Sequence, residues 1–242
     1  GSTGVTAGTL QLGVGGAIPD TSALVVGAGG FFNVNGFAET VGSLSGAGVI
    51  TNTGAVQTLT VGGDNTNTAF TGSITNQANA LSITKIGTGT QTLSGTNSYT
   101  GTTTINGGIL NVGSAETVGV SGPLGASVAN APGSIVFGGG TLQYSAANQN
   151  DYSGRFSTAA SQPISIDTNG QNVTFATALT STGGTLAKTG TGVLTLTAAE
   201  TYSGTTTVSG GTLQVADGTT GALNGTGSVT VVKAGSTILN AP

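Results

Sequence analysis

Apolar residues in this chain stand singly among threonines and serines in short alternating runs, each cut off by glycine. Thr92-Leu93-Ser94 is one such run, ended at Gly95; Thr102 to Ile105 is a second, closed by Asn106-Gly107-Gly108. Ile109 to Val112 is a third, with Leu110 and Val112 on one side and Asn111 on the other. A period of two over a few residues is the pattern of a half-buried β-strand. The Asn-Gly and Gly-Gly pairs supply the positive φ that tight corners require. Asn-Gly between strands is also a hairpin signal, so an antiparallel sandwich or barrel competes with a solenoid at this point.

The repeats favour the solenoid. Residues 85–112 (KIGTGTQTLSGTNSYTGTTTINGGILNV) align without a gap on residues 188–215 (KTGTGVLTLTAAETYSGTTTVSGGTLQV), at an offset of 188 − 85 = 103 and with 15 of 28 positions identical. Lys85/Lys188, Tyr99/Tyr202 and Gly107-Gly108/Gly210-Gly211 fall in register. Partial copies recur at Gly8–Leu12 and Gly140–Tyr144. An aromatic–Thr/Ser–Gly corner occurs at Phe70, Tyr99, Tyr152 and Tyr202. The stretch from Ala23 is echoed from Ser228 onward. Near-identical units suit an all-β, right-handed parallel β-helix, in which equivalent residues stack about 4.8 Å apart. Coils of about 20–25 residues predict roughly ten coils and a rod about 50 Å long. Leu10, Leu93, Leu110, Leu196 and Leu213 are the expected internal column, with outward threonines in hydrogen-bonded ladders. The chain reads as a single solenoid over 1–242. Residues 114–187 are the least typical part and a candidate corner insertion. Val229–Leu239 are a candidate cap, and uncapped ends would favour end-to-end self-association.

Composition then limits function. The 242 residues include 45 Gly and 45 Thr, no Cys, no His and 5 % charged residues. A mean hydropathy of +0.23 separates the chain from disordered Gly/Ser/Thr sequences. Four cations (Lys85, Arg155, Lys188, Lys233) against eight acids build no basic groove, so neither nucleic acid nor anionic membrane is an expected partner. No apolar run is long enough for a membrane-spanning helix, and Gly1 opens no signal peptide. No disulfide framework is available.

The two full units resemble the passenger-associated transport repeat, also called the autotransporter-associated β-strand repeat, of bacterial type V secretion. The resemblance rests on K-x-G-x-G-x-x-x-L followed by Y-[ST]-G-x-T-x-[IV]-x-x-G-x-L-x-V, with a supporting phrase at Asn35–Gly48. It implies a passenger threaded unfolded through the outer membrane and folded outside, at the cell surface or secreted. Its own translocator barrel would be a partner, one not expected within this chain.

Catalysis has little to build on. Asp20, Glu39, Asp64, Glu116, Asp151, Asp167, Glu200 and Asp217 are scattered, and no histidine supplies a general base. Asp151, Arg155 and Asp167 are near in sequence and read as a solvated corner with a local ion pair. Gly62-Gly63-Asp64 is a single incomplete version of a calcium turn and reads as a plain turn, so no metal or cofactor is expected. Tyr99, Tyr152 and Tyr202 are candidates for a sugar-contacting row, against the reading that they brace corners. Phe31-Phe32 breaks alternation and, with Arg155, completes the candidate surface contacts. The expected function is a structural stalk that assists secretion and displays an adhesive or effector region. The alternative is a direct adhesin for a host glycan or protein, with a polysaccharide-acting enzyme a distant third.

Overall fold

A computed structural model describes residues 1–215, 222–223, 228–231 and 235–239. Every pairing between its strands is parallel, and each strand pairs with the equivalent strand about one coil later, for example Gln57–Val61 with Leu81–Lys85 and Pro163–Asp167 with Thr185–Thr189. The result is a parallel β-solenoid of about ten turns. Among the described residues the sheets hold 13, 5, 4 and 2 strands. The only helical turn among them is the short 3-10 segment Ser153–Arg155; no helix is long and apolar enough to cross a membrane.

Alternation sets the inside. In Leu81–Lys85 the residues Leu81, Ile83 and Lys85 are buried while Ser82 and Thr84 are half-exposed, and Pro163–Asp167 follows the same rule. β-Branched threonine suits the outer positions of such pleated strands. Buried columns run up the stack, such as Leu110, Leu142, Ile166, Lys188 and Val208.

The five expected leucines do not share one column. Leu93 stacks between Phe70 and Val112, Leu110 lies between Gln91 and Leu142, Leu213 rests on Leu194 and Leu196 on Val215. Leu10, in the first coil, is only partly buried. The cause is a rotation between the repeats. Lys85 belongs to the five-stranded sheet, whereas Lys188 belongs to the long one. The strand after Lys85, Thr90–Leu93, already lies on that long sheet, four coils below Thr185–Thr189. An offset of 103 residues is therefore four coils plus one face, and the second copy presents each element one face round from the first.

Of the atypical segment, residues 114–134 contain no strand and leave the stack between Ile109–Val112 and Ile135–Phe137. The remainder stays in it: Ile135–Phe137 pairs with Thr103–Ile105, and Thr141–Gln143 with Ile109–Val112. Val229–Val231 and Gly235–Leu239 pair with Thr206–Val208 and Gly211–Val215; the rest of the expected cap, with Lys233, lies outside the described residues.

Candidate functional site

The repeat motif assembles into one corner. Gly87 and Gly190 (φ +68° and +66°) and Gly108 and Gly211 (φ +58° and +62°) are equivalent positions in left-handed conformation, which turns peptide carbonyls toward the interior. Lys85, buried among apolar neighbours, directs its Nζ at the carbonyls of Ile86 (2.5 Å), Gly87 (3.4 Å) and Gly107 (3.3 Å). Lys188 repeats this with Thr189 (2.7 Å), Gly190 (2.8 Å) and Gly210 (3.0 Å). The K-x-G element thus meets the Gly-Gly element of the next coil, and the lysine supplies a donor to corner carbonyls, among them those of Gly87, Gly107, Gly190 and Gly210. Burial lowers both ammonium pKa values, that of Lys188 to about 8, against the attraction of Asp64 for Lys85 and Asp167 for Lys188.

The second half of the motif is a brace. The Tyr99 hydroxyl shares a hydrogen bond of 2.7 Å with the Thr103 hydroxyl, and Tyr202 makes the same bond with Thr206 at 2.5 Å. This is what Y-[ST]-G-x-T encodes: a ring driven inside, with its polar tip met four residues later. Burial raises the pKa of both phenols to about 12.

The Tyr152 corner differs because it receives residues 114–134. Arg155, 1 % exposed, pairs with Glu116 across 39 residues (Nη1–Oε1 2.9 Å), donates to the Leu124 carbonyl (2.5 Å) and the Ser134 hydroxyl (3.2 Å), and stands 5.3 Å from the centre of the Tyr152 ring. Asn148 donates to the Tyr152 hydroxyl (2.9 Å). Asn97 holds the loop from below through the Pro123 carbonyl and through backbone pairing with Gly122. Phe137, Phe156, Phe175 and Tyr144 pack around this corner as edge-on and tilted rings. Burial raises the Glu116 pKa, against the pull of Tyr152 and Arg155, and leaves its Oε2 unpartnered.

These placements correct the sequence reading of the surface. Tyr99, Tyr152, Tyr202, Arg155 and Phe32 are all buried, so they form no solvent-facing row; of the candidate contact residues only Phe31 is exposed, at 43 %. The expected local ion pair is replaced by the remote one with Glu116. Asp151 instead receives the Ser153 and Ala176 amides, and Asp167 receives Gln143 and the Asn169 amide. Asp64 closes a turn on the amide and hydroxyl of Thr66. Asp217 lies outside the described residues.

Two further acids act as staples between coils. Glu39 accepts the Ala17 and Ile18 amides, and Glu200 accepts the Leu179 amide at 2.5 Å with its Oε1 unpartnered. Burial pushes the Glu200 pKa up to about 8, opposed by the Leu179 amide. The folded state therefore holds a proton that the unfolded state releases near 4.5. Glu200's contribution to stability is complete below 4.5 and is lost as pH rises through 8. The urea midpoint is expected to fall between pH 5 and 8, and Glu200→Gln should flatten that slope; an unchanged slope in the variant would assign it elsewhere.

The solenoid, with its lysine corners and tyrosine braces, defines a class: a parallel β-helix built on one repeated unit. The passenger-associated-transport-repeat family matches at residues 83–112 and 186–215. The chain is 37 % identical over 205 residues, 79 % of its length, to the adhesin BmaC autotransporter of Brucella suis biovar 1 (strain 1330), and covers 6 % of that protein. No solved structure gives a significant match. The chain thus carries two copies of the passenger-associated transport repeat and, over 79 % of its length, is similar to a small part of an autotransporter adhesin.

Proposed function

We propose that this chain is a structural stalk segment of an autotransporter passenger, delivered to the cell surface or released, whose folding assists its export and which carries an adhesive region beyond itself. The observation that supports it most is the joining of both repeat copies into one stack, with buried columns that continue through the strands between them. Such a stack grows coil by coil, each coil pairing its backbone with the one before, as suits a chain that emerges in sequence from its own translocator barrel. The adhesin reading is supported by the name of the relative and is developed below.

In a full-length passenger with its translocator, changing Gly87 and Gly190 to Val should reduce surface exposure several-fold, because valine is strained at positive φ and the carbonyl corner cannot form. Grafting an unrelated β-helix of equal coil number in place of this segment should restore exposure. Undiminished delivery after deletion of both repeats would sink the stalk-and-export reading.

A further inference from the structure

The five-stranded sheet carries an outward surface quite different from the corners. Pairing of Glu39–Val41, Gln57–Val61, Leu81–Lys85 and Thr103–Ile105 aligns Thr40, Thr60, Thr84 and Thr104 in one column and Thr58 with Ser82 beside it. All six side chains are half-exposed. The expected ladder of bonded hydroxyls is absent here: among the described residues nothing bonds to the hydroxyls of Thr40, Thr58, Thr60, Thr84 and Thr104, whereas Ser82 accepts the Thr102 amide. Elsewhere outward hydroxyls do pair, as Thr141 with Ser165 at 2.9 Å. No outward position of these strands is charged or aromatic, since Glu39 and Lys85 both turn inward.

We propose that this threonine face binds an extended, uncharged, β-linked polysaccharide lying along the solenoid axis. Successive hydroxyls in the column recur at about 4.8 Å and the two columns stand about 6.7 Å apart, from strand spacing and two residues of rise. An extended β-linked glycan advances by close to one coil spacing per sugar, so each ring meets one threonine. Sugar hydroxyls then meet unpaired protein hydroxyls, and the apolar ring faces meet threonine methyls. An acidic glycan finds no cation on this face, and nucleic acid is excluded for the same reason. A protein partner finds none of the aromatic or arginine anchors that dominate such contacts. Each contact is weak, and affinity comes from repetition along the chain. The proposal goes beyond the stalk reading and does not depend on it: delivery to the surface tests one and retention on glycan tests the other.

The test uses the whole chain on insoluble cellulose and chitin, with polygalacturonate as the charged comparison. Retention on at least one neutral polymer, and not on polygalacturonate, is expected. The triple variant Thr60→Val, Thr84→Val, Thr104→Val keeps β-branching and removes only hydroxyls; it should keep the wild-type circular dichroism and lose binding at least tenfold. No retention on either neutral polymer, equal retention on polygalacturonate, or undiminished binding by the folded triple variant would each overturn the proposal. If the triple variant misfolds, Thr84→Val alone is expected to weaken binding measurably, and wild-type binding by it counts against the face.

Discussion

Arg155→Leu is expected to destabilise the corner that holds residues 114–134 by about 3–5 kcal/mol, the cost of leaving one partner of a buried ion pair uncompensated. Glu116 then keeps a buried carboxylate with neither oxygen hydrogen-bonded to Arg155, and the Leu124 carbonyl and Ser134 hydroxyl lose their donor. The loss need not pass to the whole rod. Residues 114–134 contribute no strand, so the cheapest response is local opening of the loop while the stack persists. Limited proteolysis should therefore cut the variant first within 114–134, with β-sheet circular dichroism retained. The double change Arg155→Met with Glu116→Leu should recover most of the loss, because apolar side chains of similar volume replace buried pairs at little cost. Cleavage of the single variant at the wild-type rate would show that the pair does not hold the loop.

That corner also marks where sequence reading ran short. The parallel stack, the number of coils and the glycine corners follow from alternation and repetition, which are local or periodic. Arg155 has its partner 39 residues away in the one non-repetitive segment, so no spacing pointed to Glu116. The tyrosines had the right phase, but a phase-locked ring before Ser/Thr-Gly fits either side of a bend. What decides is the threonine four residues on, present after Tyr99 and Tyr202 and replaced by Phe156 after Tyr152. That signal was available in the motif. The threonine face was hidden for another reason: which outward residues align depends on register between coils, and the spacing of Thr40, Thr60, Thr84 and Thr104 changes from 20 to 24 and back to 20 residues.

The lysines carry the second large expectation. A charged residue in a period-two strand reads as outward, yet Lys188 occupies the same column as Leu142, Ile166 and Val208. Lys188→Met fills that column with a similar stem and removes the donor from the Gly190 and Gly210 carbonyls, while the Thr189 carbonyl keeps the Thr168 amide. Leaving buried acceptors unpaired is expected to cost about 2–4 kcal/mol, since each forfeits its desolvation penalty in part and the corner relaxes. Lys85→Met should cost a comparable amount, and the double variant their sum within about 0.5 kcal/mol, because the corners lie coils apart and share no partner. The ammonium is also costly to bury, which gives a signature that lost packing would not. The Lys188 pKa is near 8 in the fold and 10.5 in the free chain, so between these values the unfolded state binds the extra proton. The Lys188 contribution to stability should therefore rise from pH 8 toward 10.5, whereas the buried phenols of Tyr99 and Tyr202, raised to about 12, pull stability down from about pH 10 upward. Urea midpoints measured between pH 8 and about 9.5, above the Glu200 range and below that of the phenols, should rise more in the wild type than in Lys188→Met. A climb of equal size in the variant would mean that Lys188 titrates as an ordinary solvated lysine, and its carbonyl corner would then be a packing feature without electrostatic cost.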